Sequence, residues 1–270
     1  MNPALDRLLK DGAFEFQMGM RRGDGAFFQN RPENGALLEE RRRWFTSDPE
    51  LYAACEPGGE AALAEATAFA RSLNPGLAAD SLLSLGANWE PDFLLLRQED
   101  GGEFRLVAGG VCFPSHWALR DKIGHPLAAI HAPVPTLNAT LQPKIDAFLA
   151  NLRADTGWER WNWGLAPSAE RNDHPARHLP RLTAATTLEA CWFRAEHQAF
   201  RLLPETRTIL FAIRIDIIPL AELANDPALA IRLAAALRSM PDEIAAYKGV
   251  ATARFPIATS LEKAAARLHF

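Results

Sequence analysis

Residues 190–201 read Ala190-Cys191-Trp192-Phe193-Arg194-Ala195-Glu196-His197-Gln198-Ala199-Phe200-Arg201, and residues 208–217 read Thr208-Ile209-Leu210-Phe211-Ala212-Ile213-Arg214-Ile215-Asp216-Ile217. Both are rich in β-branched and aromatic residues, and Leu202-Leu203-Pro204-Glu205-Thr206 connects them, so they are expected to form a hairpin. A second hairpin is legible upstream. Phe93-Leu94-Leu95-Leu96-Arg97 has strand length, Glu99-Asp100-Gly101-Gly102 is a turn signal, and residues 104–113 read as the returning strand. Gly109-Gly110 within it predicts a bulge or the close approach of another group. Residues 159–165 are a fifth strand candidate. Antiparallel pairs with helices gathered elsewhere in the chain point to an α+β fold rather than a doubly wound one.

The helical signals lie around these strands. Ser47-Asp48-Pro49-Glu50 reads as a helix start, with a break at Pro57-Gly58-Gly59. A second helix is expected from Glu60 to about Leu73, where Asn74-Pro75-Gly76 ends it. Residues 117–131 read as one or two helical turns, interrupted near Gly124 and Pro126. Residues 142–155 form a better amphipathic helix, with Ile145, Phe148, Leu149 and Leu152 on one face. Asp226-Pro227 starts a helix that runs to Ser239, and Met240-Pro241-Asp242-Glu243 starts the next, which ends near Tyr247-Lys248-Gly249. The charge run Glu39-Glu40-Arg41-Arg42-Arg43 reads as a solvated helix face. With neither repeat nor low-complexity linker, residues 1–270 are expected to form a single domain with an N-terminal helical extension.

Composition narrows the class without naming a function. The chain of 270 residues is 48% hydrophobic and 23% charged, an ordinary globular balance that rules out wholesale disorder. A formal net charge of −4 supplies no basic footprint for nucleic acid. No apolar stretch approaches the ~18 residues of a membrane span, and Met1-Asn2-Pro3-Ala4-Leu5-Asp6 is unlike a secretory signal. Cys55, Cys112 and Cys191 are far apart and odd in number, without a C-x-x-C or C-x-x-C-H element. The expectation is a reduced, soluble, cytoplasmic protein. Glycine-rich phosphate loops and the G-x-S-x-G elbow are also missing from the sequence.

Of the seven histidines, His174 and His178 have an i, i+4 spacing, but the nearby Pro175 and Pro180 favour a loop over a metal-binding helix. His116, His125 and His269 have no partner visible in sequence. His197 lies on a strand, free to face either way. His131 closes an apolar segment and precedes the rigid Ala132-Pro133-Val134-Pro135. That setting suits axial ligation of a flat hydrophobic cofactor, and equally a histidine stabilised by a helix C-terminus.

Several motifs then fall in one order: Cys112-Phe113-Pro114-Ser115-His116-Trp117, Lys122-Ile123-Gly124 and Ile130-His131-Ala132-Pro133-Val134-Pro135. They continue with Arg160-Trp161-Asn162-Trp163, Arg194-Ala195-Glu196-His197-Gln198, Leu203-Pro204, Phe211-Ala212-Ile213-Arg214 and Tyr247-Lys248-Gly249. As a set, over about residues 14–255, the chain resembles the haem-dependent oxidative N-demethylase family, alpha subunit. The resemblance implies a PAS-like antiparallel sheet holding non-covalent heme b (iron). It implies oxidation of a small secondary amine by O2 to a primary amine and formaldehyde. It also implies electrons from NADPH through a separate flavin and iron–sulfur reductase subunit. The family tends to carry Arg where this sequence has His197, which makes His197 a second candidate near the haem.

On that reading His131 is the expected iron ligand, and Glu196 and His197 are the expected catalytic residues. Glu196 is suited to anchoring an ammonium or relaying protons, although a pair with Arg194 two residues away is the simpler expectation. Lys122, Arg160, Arg194 and Arg214 are candidates for the haem propionates, because a guanidinium binds a carboxylate bidentately. A structural salt bridge is the competing role for each. Trp163 is a candidate wall of the porphyrin, or a core residue. A non-catalytic haem sensor or carrier is the alternative function, since fold does not fix function.

Overall fold

The computed structural model describes residues 5–15, 18–100 and 102–267, so Gly101 of the expected turn and His269 lie outside the described residues. Seven strands form one antiparallel sheet: β1 (Arg21–Gly23), β2 (Ala53–Cys55), β3 (Asp92–Gln98), β4 (Phe104–Gly110), β5 (Gly157–Ala166), β6 (Trp192–Leu203) and β7 (Thr208–Pro219). Their order is β1-β5-β6-β7-β3-β4-β2. The two expected hairpins are β3-β4 and β6-β7, and β7 pairs with β3 to join them. The α+β expectation holds.

The two-residue period of a strand sorts the side chains onto two faces. Register places Phe200 between Trp158 and Phe211, Gln198 between Arg160 and Ile213, and Glu196 between Asn162 and Ile215. This first face is covered at one end by the helices Leu127–His131 and Gln142–Ala150. Phe148 meets Trp158 edge-on at 5.6 Å, and Phe200 stacks on Phe211 at 4.5 Å. At the other end Phe45, Tyr52 and Phe113 pack with Ile213, Ile215 and Ile217. The second face carries Phe193, Ala195, His197 and Ala199. The helix Glu60–Leu73 covers one part of it, burying Ala62, Ala66 and Ala70 as a narrow stripe of small side chains. The helices Pro227–Ser239, Asp242–Tyr247 and Arg254–Arg267 cover the rest.

Local signals account for several boundaries. Asp226 accepts hydrogen bonds from the Ala228 and Leu229 amides and caps its helix as expected. Glu60–Leu73 has the expected bounds. Other expectations are corrected. The helix start at residues 47–50 gives only the single turn Pro49–Tyr52, after which the chain becomes β2. Ala53 and Ala54 pair with Gly110 and Gly109, and the close neighbours that the glycine pair admits are Phe93 and Leu94 of β3. A Cβ on Gly109 would lie 2.9 Å from both Leu94 Cδ2 and the Phe93 carbonyl. The bulge in this hairpin lies between Leu95 and Leu96. The expected helix over 142–155 stops at Ala150, and Arg254–Arg267 is a further helix beyond the expected ones. The charge run is not uniformly solvated, because Arg41 is 0% exposed. Among the described residues, no helix is long and apolar enough to cross a membrane.

Candidate functional site

Between the two apolar ends of the first face, β5 and β6 place polar side chains in the middle of the sheet: Arg160 and Asn162 from β5, Arg194, Glu196 and Gln198 from β6. Glu196 is their hub. Its Oε1 accepts from Ser115 Oγ at 2.5 Å, and its Oε2 accepts from Gln198 Nε2 at 2.9 Å and Asn162 Nδ2 at 3.2 Å. The expected direct Arg194–Glu196 pair is corrected, because Ser115 stands between them and accepts from Arg194 Nε at 2.8 Å. The remaining Arg194 donors reach the carbonyls of Phe113, Pro114 and Glu170. The guanidinium is 4% exposed and burial holds its pKa below the usual arginine range. With its donors spent on protein oxygens, Arg194 holds the loop that carries Ser115.

That loop has a second anchor. Asp92 accepts from the Cys112 and Phe113 amides at 2.7 and 2.8 Å, and Arg41 Nη1 lies 2.7 Å from the same carboxylate. Arg41 also donates to the Gly86 carbonyl. A buried ion pair thus fixes the backbone from which Ser115 reaches Glu196.

His131 ends the short helix Leu127–His131, on the side of the sheet where Arg160 and Glu196 lie. Its Nδ1 is 3.3 Å from Gln142 Oε1, and Gln142 Nε2 donates to Asp146 Oδ1 at 2.8 Å. The second bond sets the orientation of the Gln142 amide, so its oxygen faces the imidazole and Nδ1–H is the donor. Nε2 then carries the lone pair, with no protein partner among the described residues. Burial lowers the His131 pKa. Gln142 and Asp146 oppose that shift, while the nearby Arg160 and Lys122 charges add to it, so the ring is neutral near pH 7.

Two of those neighbours are cations. Among the described residues, Arg160 and Lys122 make no side-chain hydrogen bond or ion pair, and Arg160 Nε is a buried, unsatisfied donor. Burial lowers the Arg160 pKa, partly offset by Glu196. A half-buried guanidinium with an unsatisfied Nε is costly to the protein alone and is a ready receptor for an anionic group.

The second face receives the other candidates. His197 Nε2 lies 2.9 Å from Glu159 Oε2, and its ring stacks on Trp161 at 4.1 Å and meets Phe27 edge-on at 4.7 Å. Arg214 bonds the Gln29 carbonyl and lies 3.4 Å from Glu90, and burial lowers its pKa to about 10. Trp163 stacks on Phe193 at 5.7 Å inside an apolar cluster. The sheet therefore separates His197, Arg214 and Trp163 from His131. His174 and His178 do not form a helical pair, because His174 precedes the turn Pro175–Arg177 and His178 has left-handed backbone.

The site thus unites His131, Lys122, Arg160 and Glu196, with Arg194 behind Ser115. Gln142, Ser115, Asn162, Gln198 and Lys248 complete it. Most of these were legible only as members of motifs, although strand alternation does put Asn162 with Arg160 and Gln198 with Glu196. Among the described residues, no group of three or more His, Cys, Asp or Glu side chains is placed to hold a metal ion on its own. A family model described as haem-dependent oxidative N-demethylase, alpha subunit-like, matches residues 67–257.

Proposed function

The chain belongs to the haem-dependent oxidative N-demethylase alpha-subunit-like family, and from that membership we propose that it is the catalytic subunit of an oxidative N-demethylase. It converts a small secondary amine and O2 to a primary amine and formaldehyde. One observation carries the reading. A single face of the sheet gathers a neutral histidine, two cations that make no hydrogen bond or ion pair among the described residues, and a carboxylate held by three donors.

These residues fit a b-type haem. His131 would hold the iron through Nε2, its other nitrogen oriented by Gln142 as metal-bound histidines are by their partners. Arg160 and Lys122 would hold the propionates, and Arg194 and Arg214 are structural. When bound, the haem supplies the iron chemistry that activates O2. The chain's own residues do the rest. Glu196, kept in place by Ser115, Gln198 and Asn162, receives the substrate ammonium and holds its nitrogen at a fixed site. The apolar ends of the face exclude water from it. His197, on the opposite face, braces the sheet through Glu159.

Electrons come from NADPH through a separate flavin and iron–sulfur subunit. The sequence carries neither a cluster-binding cysteine set nor a dinucleotide fingerprint. Free Cys55, Cys112 and Cys191 support a cytoplasmic location. We read the whole chain as one PAS-like unit with N-terminal elaboration.

The test is purified protein supplied with hemin, a competent reductase, NADPH, O2 and dimethylamine. A Soret band and stoichiometric formaldehyde are expected. A haem protein that binds O2 normally yet produces no formaldehyde from a range of methylamines would instead be a sensor or carrier. Protein that develops no Soret band with hemin would overturn the haem reading itself.

A further inference from the structure

Lys248 follows the helix Asp242–Tyr247 and reaches the open edge of β5. Its Nζ donates to the Trp163 carbonyl at 2.7 Å and to Asn162 Oδ1 at 3.3 Å, and lies 5.6 Å from the Trp163 ring centroid. The Asn162 amide passes the contact on, because its Nδ2 donates to Glu196 Oε2. A lysine ammonium therefore stands one amide away from the carboxylate. The Lys248 charge is disfavoured by burial, favoured by Glu196 and disfavoured again by Arg160.

Charge counting gives the consequence. Arg160, Arg194 and Lys248 all interact with one carboxylate, and a substrate ammonium would add a further cation there even where a propionate balances Arg160. Of the three resident cations, two are guanidiniums, which keep their protons in proteins. Lysine can release its proton when buried. The hydrogen bonds through Asn162 are long, so the effect of Lys248 on Glu196 is chiefly that of its charge.

We propose that Lys248 is a specificity-determining residue of the amine site: a cationic amine binds at Glu196 as Lys248 gives its proton to solvent. The proposal rests on the reading of Glu196 as the ammonium anchor. The exchange balances, with one ammonium entering, one proton leaving and the net charge of the site unchanged. The charged and titratable groups facing this exchange are Glu196 and Arg194 from β6, Arg160 from β5, and Tyr247 beside Lys248, whose own pKa is raised by burial and by Glu196. Burial lowers the Lys248 pKa to about 8, which places the exchange in an accessible range.

The experiment is calorimetric titration of the haem-loaded full chain with dimethylammonium chloride from pH 6.5 to 9.5. Buffers of different ionisation enthalpy count the protons released. Close to one proton released per amine at pH 7 is expected, falling to none above pH 9. Affinity should rise by up to about tenfold per pH unit below pH 8 and then level off. K248M should bind without proton release and without the pH step. K248R, which keeps donors but cannot lose its charge, should bind weakly at every pH. Wild-type binding without proton release, or an unchanged step in K248M, overturns the proposal. Unchanged affinity in E196Q overturns the reading of Glu196 beneath it. The Soret spectrum and melting temperature of each variant separate these outcomes from loss of fold.

Discussion

Arg41 Nη1 lies 2.7 Å from Asp92 Oδ1, with the two side chains 0% and 1% exposed. The pair links a helix of the N-terminal region to the first residue of β3, and Asp92 also receives the two amides that open the Ser115 loop. Removing one partner of such a pair leaves an uncompensated buried charge. Asp92→Asn should therefore cost about 3–5 kcal/mol in urea unfolding at pH 7. A loss below about 1 kcal/mol with an unchanged m-value would show that the pair does not brace the loop.

Haem retention should depend on His131 and on the residue that orients it. His131→Ala should lose tightly bound haem, with exogenous imidazole restoring the Soret band. Gln142→Ala should weaken haem binding about tenfold, the lower end of the effect seen when a metal ligand loses its orienting partner. His197→Ala should keep the wild-type axial spectrum, because it lies across the sheet. Hemin titrations of the three variants check this, and loss of the axial signature in His197→Ala alone would move the ligand to the second face.

Arg160 should separate cofactor binding from stability. Its unsatisfied Nε means that the protein without haem gains little from this guanidinium. Arg160→Met should leave the apoprotein at least as stable as wild type while speeding haem loss about tenfold or more, one lost charge-assisted bond being worth about 1.5–3 kcal/mol. Apoprotein melting and transfer of haem to an acceptor protein measure the two effects. A variant that destabilises the apoprotein yet leaves haem loss unaltered would make Arg160 structural.

On the second face, burial alone would raise the Glu159 pKa, but His197 and Arg21 outweigh it and hold the carboxyl below the usual glutamate range. Because the folded-state value is lowered, its stabilisation is present above the unfolded value near ~4.3 and is lost as pH falls through the folded one. Glu159→Gln should lose about 1.5–3 kcal/mol at pH 7, the scale of a hydrogen bond to a charged group. The gap to wild type should close in the acid range. Urea midpoints at several pH values test the sign, and a gap that widens on acidification would contradict it.

Gly109→Ala should be destabilising by about 1–3 kcal/mol, as overpacking a core usually is. The added Cβ would meet Leu94 and the Phe93 carbonyl, and the backbone oxygen cannot turn away as a side chain would. Thermal unfolding reads the cost, and an unchanged Tm would mean that β3 and β4 can separate freely.

Nearest-neighbour features carried much of the fold. The apolar runs, the turn residues and their spacing predict β3-β4 and β6-β7, Glu60–Leu73 and the Asp226 cap, because strand period, turn geometry and capping are settled within a few residues. The motif set also brought His131 and Glu196 forward, and the family match supports the resemblance they carried. Strand alternation also puts the neighbours Glu196 and His197 on opposite sides of the sheet. What packs on each side was decided elsewhere. His131 and Arg160, 29 positions apart, come together only because the helix Leu127–His131 packs on the face to which β5 turns Arg160. Arg41 sits in a run of charges that reads as solvated, and it is buried because Asp92, 51 residues later, supplies its counter-charge. The short β2 forms because the edge of β4 at Ala108–Gly110 pairs with it across more than 50 residues of chain. Such outcomes depend on pairings distant in sequence, whose free energy exists only once the sheet has closed and its faces are covered, so no local pattern encodes them.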